Sequence, residues 1–262
     1  MKRFLLAALC LVAFHGTARA ADASLQSVKG KGKIVMGLDD AFPPMGFRNE
    51  ENEIVGYDVD LAKEVARRLG VKLVPQPIDW NAKEQELGTG QIDCIWNGFT
   101  ITEERKKALL FTKPYLKNAQ VVVVKKGSPY TTLASLKGKK VGLQAGSSAA
   151  GALEAAKDFR ASLKEVVEFK DNLSALMDLE IGGVDGVVMD LIVANDNIKR
   201  SGKPYVVLQE TLAPEAFGVG FRKGDVALRD AVQGALEAMA KDGTLAKVTA
   251  KWFGSDISVV GK

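Results

Sequence analysis

Short apolar segments alternate with amphipathic segments along most of the chain. Period-two and continuous apolar runs predict strands at residues 33–38, 71–75, 92–96, 116–125, 141–143, 165–169, 185–189, 205–208 and 217–221. Apolar residues three and four positions apart predict helices at residues 58–69, 82–88, 147–156, 173–181, 191–200, 226–242 and 245–253. Strands that alternate with helices in this way are typical of α/β proteins, so we predict that fold class.

The chain of 262 residues is longer than one typical domain. The strand and helix pattern divides into two α/β units, and the valine-rich segment at residues 116–125 is long enough to run between them. Two units joined by extended segments leave a cleft between them, and small ligands usually bind in such clefts. We therefore predict a small-molecule site in an interdomain cleft.

The first twenty residues have the pattern of a secretory signal peptide. Lys2 and Arg3 precede an apolar run at residues 4–14, and Ala18 and Ala20 provide small residues before a cut at Ala21. The alternative is a retained membrane anchor, but the apolar run is too short to span a bilayer. We predict that residues 1–20 are removed and that the protein is secreted to the periplasm or another extracytoplasmic face.

Removing that segment changes the charge balance. The whole chain has 36 basic and 32 acidic residues, for a net charge of +4. The segment contains Lys2, Arg3 and Arg19, which leaves 33 basic residues (36 less 3) against 32 acidic ones. No basic tract remains, so neither a nucleic acid nor a membrane surface is an expected partner.

Cleavage also removes the single histidine, His15, and leaves Cys94 as the single cysteine. A chain without histidine has no histidine general base, no Ser-His or Cys-His pair and no histidine metal ligand. One cysteine forms no internal disulfide, and Cys94 lies in an apolar strand where a buried thiol is favoured over a reactive one. We predict that the protein is not an enzyme and that it needs no cofactor and no metal.

A series of short motifs carries the more specific evidence. In chain order the motifs are GLDDAFPP (37–44), GYDVDLA (56–62), DW (79–80), GQID (90–93), GFTITEER (98–105), FTKPY (111–115), LKGKKVG (136–142), GSS (146–148), DGVVMD (185–190), DGT (242–244) and KWFG (251–254). In this order and at these intervals, the series closely resembles the periplasmic amino-acid-binding proteins of ABC importers, the extracellular solute-binding proteins of family 3. The resemblance covers about residues 33–254.

The resemblance implies a type II periplasmic binding protein fold with two α/β lobes and a two-segment hinge. Lobe 1 would comprise residues 21–118 and 213–262, and lobe 2 residues 119–212. The implied function is capture of an amino acid in the cleft and its delivery to the membrane permease of an ABC importer. We expect a monomer, and we expect the amino acid to be polar or basic, or to be cystine.

The chemistry of a free amino acid assigns roles to the motif residues. Its carboxylate requires a guanidinium and N–H donors, which Arg105 and the Gly146–Ser148 turn provide. Its ammonium requires an anion and further acceptors, which Asp190, Gly98 and Thr100 provide. Its side chain would lie against Phe42 and Trp80, with the Asp39 carboxylate at the end. The candidate ligand-binding residues are Asp39, Phe42, Trp80, Gly98, Thr100, Arg105, Ser147, Ser148 and Asp190.

Six of these residues also have a purely structural interpretation. Asp190, Ser147 or Ser148 would serve as a helix N-cap. Arg105 would form a surface ion pair with Glu103 or Glu104. Phe42 and Trp80 would be ordinary core aromatics.

Lys83 and Glu84 depart from the family pattern, which has aliphatic residues at inward positions of this helix. A buried charge is costly unless it is paired. Either the two residues pair with neighbours, or one of them faces the cleft; Glu84 is therefore a further candidate ligand-binding residue. The alternative function is a dehydratase of prephenate-like or arogenate-like acids on the same scaffold, with Glu84 as the proton donor.

Overall fold

The computed structural model describes residues 22–262, so the predicted signal peptide lies outside the described residues. The strands are β1 (Lys33–Leu38), β2 (Ala41–Phe42), β3 (Gly46–Arg48), β4 (Ile54–Val55), β5 (Lys72–Pro77), β6 (Cys94–Ile95), β7 (Leu109–Phe111), β8 (Leu116–Lys125), β9 (Lys140–Gln144), β10 (Glu165–Phe169), β11 (Gly186–Asp190), β12 (Tyr205–Phe217) and β13 (Gly220–Arg222). The helices are α1 (Ser24–Gly30), α2 (Tyr57–Leu69), α3 (Lys83–Thr89), α4 (Glu103–Ala108), α5 (Ser148–Ala155), α6 (Lys157–Ser162), α7 (Asn172–Ile181), α8 (Leu191–Ser201), α9 (Val226–Lys241) and α10 (Thr244–Phe253). No helix of residues 22–262 is both long enough and apolar enough to cross a membrane.

The first sheet has the strand order β5-β1-β6-β13-β7, and β5, β1 and β6 run parallel. Its strand β1 is buried on both faces. Along β1, Ile34 and Met36 belong to the apolar cluster under α2, α9 and α10, whereas Val35 belongs to the cluster under α3. This alternation is the two-residue period of a strand.

The second sheet has the order β10-β9-β11-β8-β12 and repeats the same construction. Val121 and Val123 of β8 pack towards α7 and α8, and Val122 and Val124 pack on the opposite face. The valine-rich run therefore reflects a strand that is covered on both sides, as is usual for α/β sheets.

Strands β8 and β12 form a long antiparallel ribbon, from the pair Tyr205 and Lys125 to the pair Phe217 and Leu116. The sequence pattern predicted two strands at 205–208 and 217–221; the structure has two strands, but the first extends to Phe217 and the second, β13, begins at Gly220. Exposed polar residues and Pro214 hide the continuity in the sequence, but β12 is an edge strand with two register shifts, where proline is tolerated. The far end of the ribbon reaches the first sheet, because Phe217 also bridges to Thr100.

Several short elements had no counterpart in the sequence prediction. Strands β2, β3 and β4 form a small antiparallel sheet within residues 41–55, and α1, α4, α6 and β7 are also additional. Elements of two to seven residues are too short to show a clear hydrophobic period. The small sheet nevertheless matters for the site, because β2 contacts α7, which packs on the second sheet.

Candidate cleft site

Half of the candidate site lies at the carboxyl ends of parallel strands in the first sheet. Strands β1 and β6 are parallel neighbours, with Met36 opposite Cys94, so the residues that follow them emerge at the same edge of the sheet. Asp39 directly follows β1, and Gly98 lies three residues after β6. Trp80 comes shortly after β5, the other parallel neighbour of β1.

The second sheet contributes its half in the same way. Strands β9 and β11 are parallel neighbours, with Val141 opposite Gly186. Gln144 is the last residue of β9, and Asp190 is the last residue of β11. The turn at residues 146–148 follows β9 directly and leads into α5.

The two halves meet through direct side-chain contacts. Gln144 Nε2 donates to Asp39 Oδ2 at 2.7 Å, and Ser148 Oγ donates to Thr100 Oγ1 at 3.1 Å. The carbonyl of Gly146 accepts hydrogen bonds from Arg105 Nη2 at 3.2 Å and from Lys83 Nζ at 2.8 Å. The cleft is therefore closed, and its wall residues are largely shielded from water.

Arg105 lies in this closed cleft and does not form a surface ion pair. Its guanidinium donates to Thr100 O at 2.9 Å as well as to Gly146 O, and it lies 4.4 Å over the Phe99 ring. Glu103 and Glu104 pair instead with the two lysines that follow Arg105. Burial lowers the pKa of Arg105, so the closed cleft disfavours its positive charge.

Asp190 occupies the N-cap position of α8, but its carboxylate forms no side-chain cap hydrogen bond. Its Oδ1 accepts from Asn118 Nδ2 at 2.6 Å, and the residue is only 5% exposed. Burial raises the pKa of Asp190, and the nearby negative charge of Glu215 raises it further. The helix-capping interpretation therefore does not account for this carboxylate.

The hydroxyl groups of the cleft form two kinds of hydrogen bond, one across the cleft and one within the turn before α5. Ser148 Oγ contacts Thr100 across the cleft, as described above, and Thr100 Oγ1 in turn donates to Glu215 Oε2 at 3.2 Å. Ser147 is the N-cap residue of α5, yet its Oγ donates to Gln144 O at 2.7 Å and forms no side-chain cap hydrogen bond. The first turn of α5 thus keeps backbone N–H groups that have no partner within the helix, and these are suited to an anion.

A buried carboxylate holds the Gly98 backbone in place. Asp58 Oδ2 accepts from Gly98 N at 2.6 Å and from Tyr115 Oη at 2.9 Å. Gly98 has a φ of +54°, and a Cβ there would lie 2.9 Å from the Phe42 ring, so only glycine fits. Burial raises the pKa of Asp58 to about 7.

The two candidate aromatic residues are both buried in the closed cleft. Phe42 is 5% exposed and packs against Gly98, and Trp80 is 7% exposed and meets Phe99 edge to face at 5.7 Å. Both belong to apolar clusters, so their core role is established by their packing. Their contact with a ligand remains a prediction.

Lys83 and Glu84 behave differently from each other. Lys83 is 4% exposed and faces the cleft, where its Nζ donates to carbonyl groups. Glu84 is exposed, although it is close enough to Arg105 to favour the charged guanidinium. The lysine, which was not among the candidate ligand-binding residues, is thus the buried member of the pair.

Three polar residues of the ribbon formed by β8 and β12 complete the cleft, and none of them was among the site residues predicted from the sequence. Glu215 Oε2 accepts from Asn118 Nδ2 at 3.2 Å and from Gln120 Nε2 at 3.0 Å. Asn118 and Gln120 lie two residues apart on β8, and both are buried. Two uncharged polar residues at a two-residue spacing in a valine-rich strand were the available signal, since both side chains must point to the same face.

Two sheets whose strand ends face each other across a closed, charged cleft define a solute-binding protein. The family comparison agrees, because residues 34–255 match the model of the bacterial extracellular solute-binding proteins, family 3. The chain belongs to this family.

Individual relatives match over nearly their full lengths. The L-cystine-binding protein of Escherichia coli K12 is 33% identical over 260 residues, which cover 96% of this chain and 94% of that protein. The arginine-binding protein 1 of the same strain is 32% identical over 257 residues, covering 97% and 99%. A crystal structure of a substrate-binding protein from Streptococcus pneumoniae with bound histidine matches with a TM-score of 0.88 and 37% identity, covering 91% of this chain and 99% of that one.

These matches confirm the predicted fold class, the type II periplasmic binding protein fold, and the predicted family. The named relatives are binding proteins, and this chain is likewise a binding protein and not an enzyme. The dehydratase alternative loses further support from the exposure of Glu84, since a proton donor needs a shielded position beside its substrate.

Proposed function

We propose that this protein captures a free amino acid in the cleft and delivers it to the membrane permease of an ABC importer. One observation carries the proposal. Arg105 and Asp190 are residues of opposite charge type that lie in the closed cleft, Arg105 half-buried and Asp190 buried, and burial shifts the pKa of each against its charged form. A ligand that brings a carboxylate to the arginine and an ammonium to the aspartate compensates both charges at once.

The remaining candidate residues suit the same zwitterion. Arg105 and the N–H groups at the turn formed by Ser147 and Ser148 bind the carboxylate. Asp190, Thr100 Oγ1 and the Gly98 carbonyl bind the ammonium. Glu215 is linked to Thr100 and Asn118 by hydrogen bonds and adds negative potential on the ammonium side.

The proposed mechanism is closure of two lobes around the ligand. Lobe 1 comprises residues 21–118 and 213–262, and lobe 2 comprises residues 119–212. These boundaries fall within the β8–β12 ribbon, which is the connection that a hinge requires. Because the ligand contacts both lobes only when they are closed, binding shifts the population towards the closed form.

Two features favour a polar or basic amino acid, or cystine. The relatives described above are named for cystine and arginine, and a solved neighbour holds histidine. In this chain, the Asp39 carboxylate and the Gln144 amide face each other beyond Phe42 and Trp80. The Asp39 carboxylate already accepts from Ala41 N and Gln144 Nε2, but an aliphatic side chain would leave its buried charge without a compensating group.

The rest of the proposed role follows from the family. The protein works as a monomer in the periplasm or at another extracytoplasmic face, where the closed form docks on the permease. No cofactor takes part in capture or delivery.

A thermal-shift screen of the twenty amino acids and cystine, followed by calorimetry, tests the proposal. We expect stabilisation by a small set of polar or basic amino acids, because a ligand that binds only the folded state raises the melting temperature. Prephenate serves as the comparison compound. A screen without any amino-acid hit, or turnover of prephenate above background, would contradict the proposal.

A further inference from the structure

Lys83 stands out as a buried cation whose hydrogen-bond acceptors are both neutral. Its Nζ donates to Trp80 O at 3.0 Å and to Gly146 O at 2.8 Å, and the side chain is 4% exposed. Among residues 22–262, none of the carboxylates forms a salt bridge with it. A lysine ammonium has three N–H donors, so one donor is left for another acceptor.

A second cation lies at the same carbonyl. Arg105 Nη2 donates to Gly146 O at 3.2 Å, so an ammonium and a guanidinium converge on one neutral oxygen. Burial and, to a smaller extent, the charge of Arg105 together lower the pKa of Lys83 to about 8, against the opposing charges of Glu84 and Asp79. A buried ammonium beside a half-buried guanidinium is unfavourable unless an anion joins them.

The surroundings favour an anion at this point. The carbonyl that both cations share belongs to the turn before α5, whose first N–H groups have no partner within that helix. Arg105 also keeps donors beyond its bonds to Thr100 O and Gly146 O, because a guanidinium has five. A carboxylate placed here would compensate the charge of both side chains.

We infer that Lys83 is a second cationic ligand-binding residue, which holds the ligand's carboxylate together with Arg105. The inference rests on the proposed function and adds a residue to it. It also defines a ligand property: the carboxylate must be free and ionised, and an amide or ester of the same amino acid binds poorly.

The test compares the best amino-acid ligand with its carboxamide in calorimetric titrations. Lys83→Met keeps the length of the side chain and removes the charge, and Lys106→Met on exposed α4 is the matched control. We expect Lys83→Met to weaken binding of the amino acid at least tenfold and to change binding of the carboxamide less than threefold. Equal weakening of both ligands would overturn the inference, because Lys83 would then only tether the Gly146 turn.

Lys83→Gln provides a second variant, which stays neutral but can still donate to Gly146 O. A purely structural tether predicts that this variant binds the amino acid within threefold of wild type. The inference predicts the same tenfold loss as for the methionine variant. Circular dichroism of the ligand-free variants checks the fold.

Proton release at pH 9 gives an independent measurement. If opening of the cleft exposes Lys83 to water, its pKa returns towards about 10.4. If the closed cleft left it without an anion, closure would release close to one proton; a paired carboxylate would prevent that release. We therefore expect wild type and Lys83→Met to release equal numbers of protons in calorimetry with two buffers. A larger release by wild type would overturn the inference.

These outcomes are separate from a failure of the proposed function. Wild type that binds no amino acid would contradict the proposed function itself. Wild type that binds an amino acid, with Lys83→Met within threefold of it, would contradict only the role of Lys83.

Discussion

Gln144 Nε2 donates to Asp39 Oδ2 at 2.7 Å, and this bond joins the end of β9 to the end of β1 across the cleft. Gln144 is itself fixed by Lys170 O and by Asn172. Burial raises the pKa of Asp39 to about 6, although hydrogen bonds from Ala41 N and Gln144 oppose the shift. The end of the cleft that is proposed to receive the ligand's side chain therefore contains the Asp39 carboxylate, and its ionisation at neutral pH costs free energy.

The Asp39 carboxylate should select for ligands that can donate a hydrogen bond or carry a positive charge. We expect a polar or basic amino acid to bind at least tenfold more tightly than leucine or valine, a difference of about 1.4 kcal/mol. Asp39→Asn should reduce the affinity for a cationic ligand and move the preference towards glutamine. Competition titrations measure the ranking.

Two neighbouring carboxylates that lie nearer the surface provide matched controls for that prediction. Asp40→Asn changes the next residue, which pairs with Arg48 at the surface, and Glu84→Gln changes the exposed candidate beside Lys83. Both should leave the ranking unchanged. If Asp39→Asn also leaves it unchanged, the carboxylate does not contact the ligand side chain, and selection depends on the shape of the cleft.

Arg105→Ala and Asp190→Ala should each nearly abolish amino-acid binding and leave the fold intact. Each substitution removes one charge and leaves the opposite charge of the ligand buried without a partner. Such truncations cost about 2–5 kcal/mol, or tens-fold to thousands-fold in affinity. Calorimetry gives the affinity, circular dichroism checks the fold, and Lys106→Ala is the exposed control on α4. Affinity of Asp190→Ala within threefold of wild type would show that this carboxylate is structural.

Part of the fold could be predicted because its central strands are covered on both faces. Strands β1 and β8 have the predicted bounds, since their apolar runs are visible in the sequence, and the edge strand β10 has them as well, although its side chains are only partly buried. The small sheet around Phe42 and the continuous strand β12 could not be predicted. Their hydrogen bonds depend on partners distant in the sequence and not on a local period.

The cleft residues also divide into those that lie in local motifs and those that only the pairing of distant strands brings together. Arg105, Asp190 and Thr100 lie in motifs that can be recognised locally, and the structure brings all three into the cleft. Gln120 and Glu215 lie 95 positions apart, and only the pairing of β8 with β12 brings them into hydrogen-bond contact. Whether the candidate residues bind the ligand as proposed is a prediction for the experiments above.

Asp58 should make the stability of the ligand-free protein depend on pH. Its pKa is raised to about 7 in the folded chain, from about 3.9 in the unfolded chain, so the folded state binds the proton more tightly. Its contribution is therefore most favourable below about pH 4, and it declines as the pH rises to about 7. The decline is on the order of 4 kcal/mol at most, since each pKa unit corresponds to about 1.4 kcal/mol.

Urea unfolding of wild type and Asp58→Asn between pH 4 and pH 8 tests this. The difference in unfolding free energy between the two proteins should change across that window, in favour of the variant as the pH rises. Asp60→Asn, which changes the other carboxylate in the first turn of the same helix, is the matched control. A constant difference between wild type and Asp58→Asn would mean that Asp58 keeps an ordinary pKa in solution.

We also expect the charges of the cleft to favour the open form when no ligand is bound. Closure buries Arg105 and Asp190, and the shift of each pKa shows that the closed cleft disfavours both charges. Removing charges from a buried site in favour of neutral residues of similar volume is often stabilising, by about 1–4 kcal/mol. The double variant Arg105→Met with Asp190→Asn should therefore close without a ligand, and the amide oxygen that replaces the carboxylate would still accept the hydrogen bond from Asn118.

Small-angle X-ray scattering distinguishes the two states through the radius of gyration. We expect wild type to contract when it binds its amino acid, and we expect the double variant to be equally compact without any ligand and to show no further contraction. Lys106→Met with Asp196→Asn, two charge changes outside the cleft contacts, should behave like wild type. If the ligand-free double variant is as extended as ligand-free wild type, then compensation of the buried charges does not drive closure. The direct contacts of the ligand with both lobes would then have to supply the whole driving force.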